Sequence, residues 1–253
     1  MIDPDFVALG EEKKIFDDGH TLSLVKTEEG WYSYKGGVRF EGIEIHHGSS
    51  IGGGDCCWGL REYKGLRWAS AINIGPQTLP QIYLFATKQM GQLYHNHDIY
   101  LFEVKYGHYL KEIGRVTNGS TPFIFKDDEI YRLFFHRRTG GDPDIHTLWM
   151  ISSSNIKGLM SKEPVKILER SNQTISAPSV AKFHGYYWMT VEILIKGIWF
   201  TYLFKGKTLD TLKMIDKPLL ENAACAFQHI FDDRYILTYS RPNWSVFMKE
   251  GII

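Results

Sequence analysis

Ala177-Pro178-Ser179-Val180-Ala181-Lys182, Phe183-His184-Gly185, Tyr186-Tyr187-Trp188-Met189-Thr190-Val191-Glu192 reads as an apolar run, a tight turn and an alternating run rich in aromatics. That is the pattern of an antiparallel hairpin. The unit recurs upstream as Thr121-Pro122-Phe123-Ile124-Phe125-Lys126, Asp127-Asp128-Glu129, Ile130-Tyr131-Arg132-Leu133-Phe134-Phe135. It recurs downstream from Ala223 to Ser240, turning at Asp232-Asp233-Arg234. Superposing the turns makes Tyr131, Tyr187 and Tyr235 equivalent, at spacings of 56 and 48 residues. A hairpin alone takes about 15 residues, so the spacing predicts four-stranded units with their loops.

The remaining strands follow the same logic. His146–Ser152 and Ile198–Phe204 each supply a third strand, and Pro164–Leu168 a fourth. Towards the N-terminus, Phe16-Asp17-Asp18-Gly19 repeats the Asp-Asp turn, and Gln81–Phe85 pairs with Asp98–Phe102 across a longer loop. No segment shows a sustained helical period bounded by caps; Asn155–Met160 is at most one helical turn. One meander cannot bury both its faces, whereas a closed ring of meanders buries each against its neighbours. The predicted fold is all-β: a single-domain, five-bladed β-propeller of antiparallel four-stranded blades spanning residues 1–253. The last unit ends too soon for a full blade, so the segment Phe6–Leu9 is expected to add its outer strand.

Composition narrows the function. Lys and Arg number 29, Asp and Glu also 29, so no overall field draws nucleic acid or anionic lipid to the surface. No stretch of about 18 apolar residues exists and Met1–Asp5 has no secretory character, so a soluble, cytoplasmic protein is expected. Three cysteines form no disulfide framework, and no Cys or His spacing matches a zinc site. No Gly-x-Ser-x-Gly elbow or HExxH motif is present, and Gly48–Asp55, lacking the Lys-Ser/Thr ending of a phosphate cradle, reads as a loop at the mouth of the ring.

The segments Ser176–Glu192, Thr121–Phe135 and Asp232–Ser240 resemble the blade motifs of the five-bladed glycoside hydrolases, the arabinofuranosidase, xylosidase and fructosidase superfamily. The resemblance covers roughly residues 118–245. It implies a funnel on the propeller axis, lined by the first residues of each innermost strand, where a sugar ring is held between carboxylates. Such enzymes need an acid at the leaving oxygen and a second carboxylate as nucleophile or base. The sequence departs from the family here: Thr121 and Ala177 precede the matching prolines, and Asp3-Pro4 and Asp142-Pro143 lie out of register.

Acids that could face the axis are Glu221 and Glu192 first, then Asp98, Glu103 and the turn residue Asp18. Against Asp18 stands turn chemistry, since Asp in a tight turn bonds its own backbone. His136, Arg137 and Arg138 end a second strand at the place matching Glu192 and Arg241, where guanidinium forks suit a ligand's carboxylate or phosphate. His229 lies within an innermost strand. Trp58, Trp68, Tyr94 and Trp244 fall in or near loops where they can stack on a sugar face, while Trp149, Trp188 and Trp199 read as inter-blade packing. Three functions fit: a glycoside hydrolase-like enzyme acting on a furanose or small pyranose, a non-catalytic propeller binding a glycan or a protein, and a sugar-nucleotide-dependent glycosyltransferase.

Overall fold

The computed structural model describes residues 2–37, 42–53, 56–58, 63, 65–89, 97–140, 145–170 and 173–253. After β1 (Lys13–Phe16), the first blade is β2 (Thr21–Thr27), β3 (Gly30–Gly36), β4 (Ile43–Gly48) and β5 (Cys56–Trp58). The second is β6 (Leu66–Asn73), β7 (Ile82–Gln89), β8 (His97–Lys105) and β9 (Tyr109–Asn118). The third is β10 (Ser120–Asp127), β11 (Ile130–Arg138), β12 (His146–Ser153) and β13 (Val165–Arg170). The fourth is β14 (Thr174–Phe183), β15 (Tyr186–Ile195), β16 (Ile198–Gly206) and β17 (Lys213–Met214), with β18 (Leu220–Glu221) also on β16. The fifth is β19 (Ala224–Phe231), β20 (Arg234–Ser240) and β21 (Val246–Ile252), completed by β1.

The expected five-bladed propeller is therefore the observed fold. Tyr131, Tyr187 and Tyr235 each occupy the second position of a second strand. The turns before them place Asp128, His184 and Asp232 at φ of 53, 49 and 58°, the left-handed region that short polar side chains tolerate best. Gln81–Phe85 and Asp98–Phe102 fall in adjacent antiparallel strands, with Leu84 opposite Phe102. A single 3₁₀ turn, Ile156–Ser161, stands where one helical turn was expected, capped by the Asn155 side chain on the Lys157 N–H.

Five apolar clusters fill the five seams between blades. Leu22, Leu24 and Trp31 of the first blade, for example, meet Ile236, Val246 and Met248 of the fifth. Each seam near the axis is also stitched by at least one hydroxyl. Ser23 accepts from the Ala71 N–H (2.9 Å), Ser70 from Ile124 (3.1 Å), Thr121 from Ala177 (3.1 Å) and Ser179 from Gln228 (2.7 Å), and Thr238 donates to the Leu22 carbonyl (2.8 Å). Adjacent innermost strands diverge too far for a continuous ladder, so these hydroxyls satisfy backbone groups that would otherwise be buried without partners.

Two local expectations are corrected. The strand that closes the ring is Lys13–Phe16, with Lys14 opposite Phe247, and not Phe6–Leu9. Phe6 instead wedges into the fourth seam against Phe183, Trp188 and Tyr235 at centroid distances of 5.1–5.8 Å, where its ring is buried among aromatics. As a consequence, Asp17-Asp18 is a connection between blades rather than a hairpin turn: the fifth blade has three strands of its own, and its open edge recruits β1. The first blade's hairpin turns at Glu28-Glu29 instead.

Candidate functional site

Four of the five innermost strands carry a bulge near their start, at Trp68, Thr121, Ala177 and Cys225, with φ between 43 and 54°. A non-glycine residue held there costs energy that the surrounding packing must offset, and such positions cluster at functional sites. The bulges re-aim side chains toward the axis, where Trp68, Ala177 and Cys225 touch one another. Above them opens a cavity of about 450 Å³ to which all five blades contribute, through His20, Arg67 and Trp68, Ser120 and Thr121, Ser176 and Glu192, and Cys225.

Glu192 is the only carboxylic acid among the described residues lining this cavity. It lies on β15 opposite Ser176 and Thr201, 2% exposed. Its Oε2 accepts a hydrogen bond from the Ser176 hydroxyl at 2.8 Å, while Oε1 is buried with no hydrogen bond of good geometry among the described residues. Burial disfavours the charged form and pushes its pKa up to about 7, against the pull of Ser176, the Cys225 thiol and the Ala226 N–H. The carboxyl is thus poised to hold or give a proton near neutrality.

Beside it, the Cys225 sulfur lies 2.8 Å from His20 Nδ1. Burial, with Glu192 close by, raises the thiol pKa well above its ordinary value; burial, reinforced by the Arg67 charge, lowers that of His20 to about 3. Both are therefore neutral, a resting pair without thiolate character. The imidazole is sandwiched by aromatics: Trp244 at 4.7 Å across one face and Trp68 edge-on at 5.9 Å. Arg67 lies over the Trp68 ring at 4.2 Å, and His97 meets the same ring at 5.5 Å. Among the described residues no cluster of three or more His, Cys, Asp and Glu side chains is arranged to hold a metal ion.

The cavity brings together several residues singled out in the sequence: Glu192, His136, Arg138, Arg241, Trp68 and Trp244. His136 is held by Ser120 (3.1 Å) and Thr121 (2.7 Å), and Arg241 by Glu12 and the Glu221 carbonyl. Others lie elsewhere. The exposed Glu221 sits on β18, pairing with Phe200 at the rim of the fourth blade. Asp98 is ion-paired with Arg115 at 2.8 Å, Asp18 with Lys35 at 2.7 Å and Glu103 with Lys105 at 2.5 Å. Arg137 turns back onto the Asn118 carbonyl and Thr117, stacked over Trp149.

His229 faces a second cavity, of about 820 Å³, at the far end of the inner strands. Its Nε2 lies 3.3 Å from the Leu22 carbonyl, and burial lowers its pKa to about 4. Trp199, expected to pack between blades, lines the axial cavity instead, because β16 begins there beside the turn at Gly197. Gly52, in the loop placed at the mouth of the ring, packs against Ile15 of β1. Trp58 is in β5, and Tyr94, Asp55 and Asp142 lie outside the described residues.

His20, Arg67, His97, Ser176 and Cys225 were missed. A bulge leaves no periodic trace, but aligning Thr121-Pro122 and Ala177-Pro178 with Cys225-Ala226 would have marked Cys225.

No protein-family profile matches the chain, and no curated protein matches it. Solved structures do. A thermostable family-43 glycoside hydrolase superposes with a TM-score of 0.70 at 14% identity, over 96% of this chain and 89% of that one. An endo-arabinase from Bacteroides thetaiotaomicron gives 0.71 at 12%, over 96% and 98%. The α-L-arabinanase of Cellvibrio cellulosa, solved with arabinohexaose, gives 0.65 at 12%, over 94% and 92%. This chain has the five-bladed propeller fold of these glycoside hydrolases.

Proposed function

We propose that this is a carbohydrate-active protein that seats one furanose or small pyranose unit in the axial cavity, with Glu192 as its proton donor in a glycoside hydrolase-like reaction. The cavity carries the reading: its volume falls in the ~300–1,000 Å³ range of small-molecule sites, and Trp68, Trp199 and Trp244 line it together with, among the described residues, a single acid whose pKa is about 7. Indole faces suit the apolar CH faces of a sugar, and a general acid works best when its pKa is near the working pH.

One observation favours a second reading, a propeller that binds a glycan without cleaving it. Glycosidic cleavage by the usual route needs two carboxyl groups across the bond, and Glu192 is the only one among the described lining residues. The transferase reading has less support, since Arg137 is engaged with backbone and the His136-Arg137-Arg138 triplet is split.

The test is turnover and binding of a panel of aryl furanosides and pyranosides by wild type and Glu192→Gln. Turnover that disappears in the variant while binding persists supports the acid role. Binding without turnover in both proteins selects the second reading, and no binding in either sinks the carbohydrate assignment.

A further inference from the structure

Cleavage of a glycosidic bond needs a base for water as well as an acid, and Glu192 is the only carboxyl among the described residues of the cavity wall. Resting on the carbohydrate reading, we propose that His20 is that base, and that Cys225 carries the proton it collects on to Glu192, so that one relay serves both ends of the reaction.

The contacts lay out the path. The Cys225 sulfur stands 2.8 Å from His20 Nδ1. The same thiol acts on the Glu192 carboxyl as a hydrogen-bond partner, although not at a geometry that satisfies Oε1. Ser176 holds the other carboxyl oxygen at 2.8 Å, which leaves Oε1 as the end of the relay. Cys225 takes this place because its bulge, at φ 54°, breaks the alternation of β19. His20 comes from the connection between β1 and β2, where its backbone N–H donates to the Gly36 carbonyl at 2.8 Å and Trp244 and Trp68 fix the ring.

With Nδ1 turned to the sulfur, Nε2 is the nitrogen left for the cavity. It has no hydrogen-bond partner among the described residues and is not sealed from solvent. His136, also on the wall, has one nitrogen taken by Thr121 and the other by Ser120. Burial, then the charge of Arg67 on β6, keeps the His20 imidazole uncharged down to about pH 3, so alone it is a poor base for water. The relay removes that difficulty, because the proton does not stay on the imidazole. It ends on Glu192 of β15, whose own pKa is about 7, and neither His20 nor Cys225 is left charged.

The step balances with water as the only co-reactant. At the start Glu192 is protonated and His20 carries its hydrogen on Nδ1. The glycosidic C–O bond breaks and its oxygen takes the Glu192 proton, while water bonds to the anomeric carbon and loses a proton to His20 Nε2. Nδ1 passes its hydrogen to the Cys225 sulfur, and the thiol passes its own to Glu192. The carboxyl is protonated again, and His20 is left with its hydrogen on Nε2, which exchange with solvent resets. Direct attack by water inverts the anomeric configuration.

Heteronuclear NMR of the His20 ring in the full chain, between about pH 5.5 and 8.5, reads the relay without a substrate. The ring nitrogen shifts should inflect near pH 7 as Glu192 ionises. That inflection should vanish in Glu192→Gln and in Cys225→Ala, and persist in Cys225→Ser, whose hydroxyl still passes a proton. Hydrolysis of nitrophenyl furanosides and pyranosides then reads the base. His20→Gln should lose roughly 10²–10⁴-fold in kcat with little change in KM, the usual contribution of a proton-transfer group. Cys225→Ala should lose activity and Cys225→Ser recover most of it, a pair that carries the test even if His20→Gln fails to fold. The first product released by the wild type should be the inverted anomer.

A His20 ring indifferent to pH in that range, an inflection unchanged in Cys225→Ala, or a retained anomer overturns the proposal. Turnover that survives in both His20→Gln and Cys225→Ala also overturns it and leaves the carbohydrate reading standing. No turnover by the wild type removes the base role even where the NMR coupling is seen: glycoside binding then selects the non-catalytic propeller, and no binding takes the carbohydrate reading down as well.

Discussion

Replacing Glu192 by glutamine should flatten the dependence of folding stability on pH. In the folded chain burial holds this carboxyl at about 7, against an ordinary value of 4.5. Between those two values the folded state keeps a proton that the unfolded chain has released, so stability falls as pH rises through this window and levels off above it. At ~1.4 kcal/mol per tenfold change in proton affinity, the gap corresponds to about 3 kcal/mol. Glutamine has nearly the same shape, can accept from Ser176, and does not titrate. Urea denaturation of both proteins from about pH 5 to 8.5 therefore reads Glu192 alone: the wild type should lose most of those ~3 kcal/mol relative to the variant as pH rises. Parallel curves across the range would mean that Glu192 is ionised and well solvated in the folded protein, and it could not then serve as the cavity's proton donor.

Packing, turn chemistry and the cavity lip are equally exposed to measurement. Phe6→Ala removes the ring packed against Phe183, Trp188 and Tyr235, and urea denaturation should show a loss of roughly 3–5 kcal/mol; under ~1 kcal/mol would mean the N-terminal segment is not part of the core. Ser179→Ala strands the buried Gln228 amide at a seam and should cost about 1–3 kcal/mol, with a neutral result refuting the stitching role of the hydroxyls. Asp128→Val forces a β-branched side chain into a left-handed turn and should destabilise by about 1–2 kcal/mol, while Asp128→Gly should not. Trp244→Ala, removing a partly exposed ring (39%) from the cavity lip, should weaken sugar binding by roughly tenfold in calorimetry and leave the melting temperature nearly unchanged.

Much of the blade architecture was legible because hairpins write themselves locally. Tyr131, Tyr187 and Tyr235 keep the same distance from their turns, and the turns use residues that tolerate a left-handed backbone. What did not show locally was closure. Lys13–Phe16 has no strong strand signature and becomes a strand because β21 offers it an unpaired edge more than two hundred residues away.

The candidate site divides in the same way. Glu192 could be singled out because it stands late in the second strand of a recognisable unit. His20, Arg67 and Cys225 could not, because each reaches the axis through a connection or a bulge that breaks the alternation, and the contact between His20 and Cys225 joins the first blade to the fifth. Asp98 and Asp18 looked equally suitable by position in the chain, yet Arg115 and Lys35 lie within ion-pair distance of them in the folded protein. Trp199 reads as core by composition, and the start of its strand lies at the cavity wall.

If the axial cavity holds a sugar against Glu192, a crystal structure of the protein soaked with its tightest-binding saccharide will show it. The ring should stack on Trp244, Trp199 or Trp68 with one of its oxygens within hydrogen-bond distance of Glu192 Oε1. Saccharide bound at the opposite cavity beside His229, or on the outer face of a blade with the axial cavity empty, would contradict that placement.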